Sequence, residues 1–381
     1  MKKEHDNEKN SVTIVEKIQT FLENRAKRTN KPYGLILCEL DEFKKYFSEV
    51  ENLKNQGFEH YKVKETEERI LSLIEEDENV LTKQDFHGLN IGMKAAQLRL
   101  ENVVMRALDN EKASLQQDGD GCNIGMYAAA HKLEQATLKA LDNKQASIQK
   151  DYIDNMNLGM YAAKFRLENA TMKALDNSEA SLQQSYDGLN IGMYAAYNGL
   201  EESTLKALDN PEASIQQSNK GRNIGMFAAE AKLQKCVLKA LDNKEASIQQ
   251  DIIGFNIGLS SASNGLKEAV MKALDNYDSS VQVNLVGHNL GMFLAYQGIE
   301  DCVLKALDNY DARNFTNKAG VRIIDFCKGR NLQKAYGKAL KLDQEDKANL
   351  DNLKTQKGED LEENDTQNEI ILDENSDENL M

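Results

Sequence analysis

Seven aspartates are the residues most suggestive of chemistry, because carboxylates at a fixed spacing could bind calcium. They recur at a regular interval: Asp109, Asp142, Asp176, Asp209, Asp242, Asp275 and Asp308. A basic residue stands three positions before each of them: Arg106, Lys139, Lys173, Lys206, Lys239, Lys272 and Lys305. Residues three apart on a helix form ion pairs. We therefore expect salt bridges within each helix, not a calcium site or a nucleic-acid surface.

Other residues with catalytic potential form no recognisable constellation. The histidines lack metal-ligand spacing: His5, His60, His87, His131 and His288. The motifs GxGxxG, GxxxxGK(S/T) and GxSxG do not occur in the sequence. The cysteines are scattered, without CxxC spacing: Cys38, Cys122, Cys236, Cys302 and Cys327. We predict no enzymatic activity, no metal and no cofactor, and reduced thiols in a cytoplasmic protein.

Two sequence markers recur in one register and define a repeat. Ala-Leu-Asp-Asn begins at Ala107, Ala140, Ala174, Ala207, Ala240, Ala273 and Ala306, with a step of 33 residues five times and 34 once. Asn-(Ile/Leu)-Gly-(Met/Leu) begins at Asn90, Asn123, Asn157, Asn190, Asn223, Asn256 and Asn289. A period in this range is typical of stacked supersecondary units, each too small to fold alone.

One repeat shows the predicted local structure. Asn190 is a suitable N-cap for a short helix, and Leu200 opens a second helix that ends at Asp209-Asn210. The stretch 213–217 reads as extended. Twelve residues separate Asn210 from Asn223, which is room for a β-hairpin finger and too many for the tight turns of tetratricopeptide repeats. The paired glutamines in this connection are expected to satisfy its backbone.

The repeat resembles the ankyrin family. Gly-x-Asn-Ile-Gly-Met-Tyr-Ala-Ala stands where that family has G-x-T-P-L-H-x-A-A, and Glu-Ala-Ser-Ile-Gln-Gln where it has G-A-D-V-N-A. No repeat has the Pro or the His of T-P-L-H. The resemblance implies an all-α fold (α with short β-hairpin fingers), an ankyrin-type repeat solenoid over residues 65–340 with about eight units. The units are degenerate at both ends, and the last is a cap.

Charge is unevenly placed along the chain. The net charge is −15, of which Gly358–Met381 carries −10 through ten acidic residues and no Lys or Arg. The acidic balance argues against nucleic-acid or membrane binding. The N-terminal ten residues lead into an amphipathic segment and no apolar run approaches a membrane span, so a soluble monomer without a secretory signal is predicted. We divide the chain into a helical extension over 1–64, the array, and an acidic disordered tail over 341–381.

A few positions change freely between copies while the framework does not. They lie around the glycine of each connection and after the paired alanines, and in ankyrin domains the corresponding positions contact partners. We predict that partner-binding residues are Ile153, Met156, Tyr186, Leu189, Tyr197, Arg222, Ile252, Ile253, Phe255, Leu285, Val286, His288 and Tyr296. The alternative is that these tips pack on one another. A recurring aromatic stripe is read as packing between units: Tyr127, Tyr161, Tyr194, Phe227 and Phe293.

These features predict noncatalytic binding of another protein through the concave face and the finger tips. The acidic tail, with Ile370-Ile-Leu372 between acids, is either solubilising or a secretion or docking signal. It resembles the Glu-rich C-terminal segments of type IV secreted bacterial effectors, which implies secretion into a host cell. The alternative function is an ankyrin targeting array attached to a small enzymatic or regulatory N-terminal module.

Overall fold

The computed structural model describes residues 41–55 and 60–350, and the predictions for residues 1–40, 56–59 and 351–381 lie outside the described residues. The chain divides into two compact units, one ending at Gln249 and one beginning at Gln250, which are treated separately below. The first begins with two helices, Asp41–Asn55 and His60–Glu76, and a 3-10 helix, Glu78–Thr82. No helix in the described ranges is both long and apolar enough to cross a bilayer.

Eight repeats follow, numbered 1 to 8 from Asn90, and the first five fall in the first unit. Their first helices are Ile91–Gln97, Ile124–Ala130, Leu158–Lys164, Ile191–Tyr197, Ile224–Glu230, Ile257–Ser263, Leu290–Gln297 and Ile323–Gly329. Their second helices are Glu101–Leu108, Glu134–Ala140, Glu168–Ala174, Glu201–Ala207, Gln234–Ala240, Lys267–Ala273, Glu300–Ala306 and 333–350. Repeats 1 to 7 add a third helix: Glu111–Leu115, Lys144–Ile148, Ser178–Leu182, Pro211–Ile215, Lys244–Ile248, Tyr277–Val281 and Tyr310–Asn314.

The all-α class is confirmed, but the β-hairpin fingers are wrong. Across residues 41–55 and 60–350 there is no β-strand, only an isolated bridge between Lys150 and Asn157. The reason is the third helix, which occupies Pro211–Ile215 where an extended stretch was expected. Asn210 caps this helix by accepting from the backbone N–H of Glu212 and Ala213. Too little chain is then left before the next repeat to form paired strands.

A polar side chain closes the remaining loop. In repeat 1, Asp118 Oδ1 accepts from the backbone N–H of Asp120 at 2.9 Å and of Cys122 at 2.8 Å. Gly121 stands in the left-handed region, with φ of 85°, which the turn requires. The Tyr127 hydroxyl, from the aromatic stripe, donates to Asp118 Oδ2 at 2.6 Å. Tyr127 therefore holds this loop against the first helix of repeat 2, which is packing between units of the kind expected for the stripe.

The recurring asparagine has the predicted capping role and a second one. Asn190 is fully buried, and its Oδ1 accepts from the backbone N–H of Met193 at 2.9 Å. Its Nδ2 donates to the carbonyl of Ala213 at 3.0 Å and to Gln216 Oε1 at 2.8 Å. Gln216 Nε2 donates in turn to the carbonyl of Leu182, in the preceding repeat, at 2.8 Å. The glutamine thus satisfies backbone, as predicted, and joins consecutive repeats.

The hydrogen bond from the asparagine to the glutamine is present in repeats 1 to 6 and absent from repeat 7. Asn256 of repeat 6 still donates to Gln282 Oε1 at 3.0 Å. In repeat 7, Asn289 donates to the carbonyl of Ala312 at 2.8 Å, but Phe315 stands where the earlier repeats have glutamine. Repeat 7 therefore lacks the glutamine that would accept a hydrogen bond from Asn289 and donate one to the preceding repeat.

In repeats 2, 4 and 8 the second helix receives an N-terminal acceptor from the preceding repeat. Leu200, the N-cap of Glu201–Ala207, makes no capping hydrogen bond. Instead Glu168 Oε1, at the start of the second helix of repeat 3, accepts from the Ser203 backbone N–H at 2.9 Å and from the Ser203 hydroxyl at 2.9 Å. A carboxylate at this helix terminus is favoured by the exposed N–H groups and the helix dipole.

The predicted ion pairs within a helix are wrong, since the bases reach back one repeat instead. The pairs within each unit are Lys139–Asp109, Lys173–Asp142, Lys206–Asp176, Lys239–Asp209, Lys305–Asp275 and Lys338–Asp308. Lys206 Nζ lies 2.6 Å from Asp176 Oδ1 and donates to the carbonyl of Met172 at 2.8 Å. That carbonyl belongs to the last turn of a helix, where no intrahelical donor exists and a cation is favoured.

In repeats 1 to 7 the second residue of the first helix is a glycine, which allows close packing between repeats. A Cβ atom placed on Gly192 would lie 2.6 Å from Ala207 Cβ and 2.6 Å from Ile224 Cδ1. Ile224 belongs to the next repeat and is fully buried. Gly192 therefore lets the aliphatic side chain of one repeat enter the helix surface of the one before it.

The second unit ends in a longer helix. This helix, 333–350, includes ten residues that the sequence analysis assigned to the acidic tail. Arg313 donates to Asp346 Oδ1 at 2.7 Å, and Arg322 Nη2 donates to Asp343 Oδ2 at 2.8 Å. The Arg313 hydrogen bond holds the pKa of Asp346 below its usual value. The remainder of the predicted tail lies outside the described residues.

We expect Asn190→Ala to lower the free energy of unfolding strongly. The substitution removes a helix cap, worth about 0.5–2 kcal/mol, and leaves buried partners unpaired at about 1–3 kcal/mol each. The matched control is Asn198→Ala in the same repeat, because Asn198 Nδ2 makes a half-buried hydrogen bond to the Tyr194 carbonyl. Urea denaturation followed by circular dichroism should give a much lower midpoint for Asn190→Ala. Equal midpoints for the two variants would contradict the capping role.

Candidate protein-binding surface

Neighbouring loops are joined at their tips by a single backbone hydrogen bond. The loop tip is the pair of residues before the glycine position, such as Leu285 and Val286 before Gly287. In the first unit the Tyr186 N–H donates to the Asp154 carbonyl at 2.9 Å, and in the second the Leu285 N–H donates to the Ile253 carbonyl at 3.0 Å. Predicted binding residues from consecutive repeats therefore lie side by side within each unit.

Six predicted residues are large, apolar and strongly exposed. Their side chains are between 62% and 67% exposed: Ile153, Tyr186, Tyr197, Ile252, Leu285 and Val286. Ile253 and Tyr296 are exposed to a smaller degree, 46% and 49%. We call Ile252, Ile253, Leu285 and Val286, which lie on two adjacent loop tips, the aliphatic tip patch. Contiguous exposed apolar surface of this kind is typical of interaction sites.

Four predicted residues are half-buried and take part in local packing. These are Leu189, Arg222, Phe255 and His288. Arg222 Nη1 donates to Glu230 Oε2 at 2.9 Å, and its guanidinium lies 5.3 Å from the centre of the Phe227 ring. Phe255 packs edge-to-face on Phe293, with ring centres 5.7 Å apart. They support the exposed residues more than they extend the surface.

The prediction that Met156 contacts a partner is wrong, because this side chain is fully buried in the core of the first unit. The loop of repeat 2 contains the one inserted residue of the array. The Asp151 carboxylate accepts from the backbone N–H of Ile153, Asp154 and Met156, which folds the longer loop back. The Met156 side chain is consequently carried inward.

Because of the same insertion, Tyr152 is exposed on this loop although it is not among the predicted binding residues. Tyr152 is 62% exposed, and its backbone N–H donates to the Asp120 carbonyl at 2.7 Å. It stands beside Ile153 on the loop tip. The missed signal was the 34-residue step, which shifts the glycine position of this loop to Asn155, with φ of 59°.

An aromatic cluster with an arginine lies on the first helices of repeats 7 and 8 and on the loop that precedes repeat 7. The His288 ring centre lies 5.0 Å from that of Phe326 and 6.3 Å from that of Tyr296. The Arg330 guanidinium lies over the Tyr296 ring, 4.5 Å from its centre. We call these four residues the aromatic cluster. The sequence predicts a binding role for His288 and Tyr296. It does not predict one for Phe326 and Arg330, because repeat 8 has the sequence of a terminal cap.

The charge of the loop tips differs between the two units. In the first unit the exposed aspartates Asp120, Asp154 and Asp187 alternate with apolar side chains at the tips. In the second unit the aliphatic tip patch contains no acid. Partial burial also lowers the pKa of His288, so its imidazole is neutral at pH 7. The second unit therefore offers the more apolar surface.

The described residues offer no alternative centre of reactivity. They contain no group of three or more His, Cys, Asp or Glu side chains that could hold a metal ion. Burial raises the pKa of Cys122 and of Cys327 to about 11 and that of Cys236 to about 12. Cys236 and Cys302 are buried. Such thiols are protonated and weakly nucleophilic at pH 7.

Comparison of the sequence with models of known families and with curated proteins gives no match. The geometry of the exposed surface is therefore the basis for assigning a function. It consists of apolar and aromatic side chains exposed on the loops and first helices of the repeats.

We expect alkylation of Cys122 by iodoacetamide to be about a hundredfold slower at pH 8 than that of a free cysteine, whose pKa is about 8.5. The rate should rise about tenfold per pH unit up to pH ~10, since the thiolate is the reacting species. Peptide mass spectrometry measures the rate, and the protein in urea is the control. A rate equal to that in urea would contradict the raised pKa of Cys122.

Proposed function

We propose that this chain is a noncatalytic binding protein that takes up another protein on its loop tips and on the aromatic cluster. One observation carries the proposal: large apolar side chains stay exposed on positions that the repeat does not keep constant. Leu285 and Val286 are 66% and 67% exposed on one loop tip, beside Ile252 and Ile253 on the next. Apolar and aromatic anchors with a polar rim supply most of the binding energy of protein interfaces.

The residues that stay constant between repeats support this proposal, because their polar side-chain atoms already make hydrogen bonds within the array. Asn190, Gln216 and Lys206 each bond within the stack. A side chain committed to a buried or inter-repeat hydrogen bond is a poor candidate for recognition, since releasing it costs the bond. Recognition is left to the residues that vary.

We further propose that the array is of the ankyrin type. The repeat length, the capping asparagine and the small residues of the first helix support this interpretation. The third helix and the turn that replaces a hairpin are departures from the expected pattern. The interpretation implies a solenoid whose tips and concave face serve as the binding surface. A targeting role for an N-terminal module remains a prediction, since residues 1–40 lie outside the described residues.

Substitution of the aliphatic tip patch should abolish partner capture. Leu285→Glu/Val286→Glu places two carboxylates where a partner's apolar surface would be buried, at an expected loss of at least tenfold in affinity. An affinity pull-down with quantitative mass spectrometry compares this variant with the native chain. Thermal unfolding of both should be alike, because these side chains are exposed.

Tyr277→Glu is the matched control. Tyr277 is 51% exposed but lies at the start of a third helix, away from the loop tip in sequence, and an acid is tolerated there. The control should retain every specifically captured protein. If the double variant retains them as well, the loop tips are not the binding surface.

We also propose, from the resemblance of the acidic C-terminal segment to effector signals, that Gly358–Met381 directs transfer into another cell. The segment carries ten acids and no base. A translocation reporter fused to the chain should lose transfer when these residues are deleted, whereas replacement of residues 2–10 should leave transfer intact. Transfer that persists after the deletion would refute the signal.

A further inference from the structure

Repeat 8 and its surroundings are strongly basic, in contrast to the acidic chain as a whole. Residues 318–341 contain seven bases and one acid, Asp325, which gives a local net charge of +6. The bases are Lys318, Arg322, Lys328, Arg330, Lys334, Lys338 and Lys341. Arg322 and Lys338 are held in ion pairs with Asp343 and Asp308. Lys318, Lys328 and Arg330 are exposed.

Two of these exposed bases, Lys318 and Arg330, border the apolar surface of the second unit. Lys318 lies beside Gly287, with its backbone N 3.7 Å from the position that a Cβ atom on Gly287 would take, and so adjoins the tip of Leu285 and Val286. Arg330 lies over Tyr296, which in turn faces Phe326 with ring centres 6.4 Å apart. The arrangement combines an aromatic face with positive charge at its edge. Its complement is an apolar segment flanked by carboxylates.

The chain itself contains such a segment. Ile370-Ile371-Leu372 is preceded by Glu369 and followed by Asp373 and Glu374, within the segment that carries −10. The last described helix, 333–350, is ~27 Å long at 1.5 Å per residue. Nineteen residues separate Leu350 from Ile370, and this stretch can span up to about 70 Å. The segment is therefore long enough to return to the first helix of repeat 8.

We propose that Ile370–Leu372 docks in cis on the aromatic cluster, with its flanking carboxylates facing Arg330 and Lys318. The three aliphatic side chains cover Phe326 and Tyr296. The acids neutralise the positive edge of repeat 8. The occupant is thus the chain's own acidic segment, and its recognition combines apolar burial with charge complementarity.

Tethering makes this contact effective even if it is intrinsically weak. A tether of about twenty residues corresponds to an effective concentration of ~1 mM. A docking equilibrium with a Kd of about 0.1 mM would then occupy the cluster in about nine of ten molecules. Exposed charge pairs are screened by salt, so the docked fraction falls as ionic strength rises.

The docked segment covers His288 and Tyr296, two of the predicted partner-binding residues. This consequence rests on the proposed function, because a partner would have to displace the segment. The docking itself needs no partner, so it can be tested on the purified chain alone. Its failure would leave the pull-down result untouched, and a negative pull-down would leave the docking untouched.

A single tryptophan provides the test, because the sequence contains none. In the full chain with Ile371→Trp, we expect tryptophan emission shifted to shorter wavelength. Acrylamide quenching should be about threefold weaker than after addition of Arg330→Glu, which turns attraction into repulsion. Salt at 1 M should raise quenching to the level of that variant. Lys244→Glu, the same charge change at an exposed position of the first unit, should have no effect.

A second measurement guards against disturbance by the tryptophan or by the Arg330 substitution. Hydrogen exchange of Ile323–Gly329 is compared between the native chain and Glu369→Gln/Asp373→Asn/Glu374→Gln. These substitutions lie outside the described fold, and should raise exchange of that helix severalfold while leaving Ile191–Tyr197 unchanged. Equal quenching in all tryptophan variants, together with unchanged exchange of Ile323–Gly329, would overturn the proposal.

Discussion

The buried side-chain amide of the repeated asparagine is held by a glutamine whose own amide is satisfied only by the neighbouring repeat, and the rest of the fold depends on that constraint. Asn190 holds the first helix, the third helix and Gln216 together, and Gln216 finds its own acceptor in the preceding repeat. The second helix likewise takes its N-terminal acceptor from Glu168, one repeat earlier. A repeat removed from its neighbours would expose or orphan these groups, at a cost that its small apolar core could not offset.

The sequence was informative wherever structure is local. A side-chain cap depends on residues three apart, so Asn190 could be recognised as an N-cap and Leu200 as the start of the next helix. The five-residue helix Pro211–Ile215 escaped notice because it is too short for an apolar period, and its asparagine cap had been read as the end of the previous helix. The local rule was applied to the wrong element.

Interactions between repeats could not be predicted from local sequence rules, because they join residues that are far apart in the sequence. Lys206 could form an ion pair with Asp209, three residues away, or with Asp176, thirty residues away. The sequence pattern does not distinguish the two, because both acids recur at a nearly constant distance from the lysine along the array. The preceding helix decides between them, because its terminal carbonyls supply a second acceptor at Met172. The candidate surface shows the same limit: exposure of Tyr186 and Leu285 followed from their variation, whereas burial of Met156 followed from a one-residue insertion. Phe326 and Arg330 became visible only through their contacts with His288 and Tyr296.

Phe315 has a consequence for how such an array can change in length. Each of repeats 1 to 5 brings both the asparagine and the glutamine that its neighbours require, so a gene segment encoding one of them can be duplicated or lost in the interior with every amide still matched. A copy of such a repeat placed after repeat 7 would not be matched in this way, because the side chain of Phe315 has neither the amide acceptor nor the amide donor of a glutamine. Arg313–Asp346 and Arg322–Asp343 instead anchor a unique closing helix. Insertion of a copied repeat therefore leaves these hydrogen bonds matched in the interior of the array but not after repeat 7.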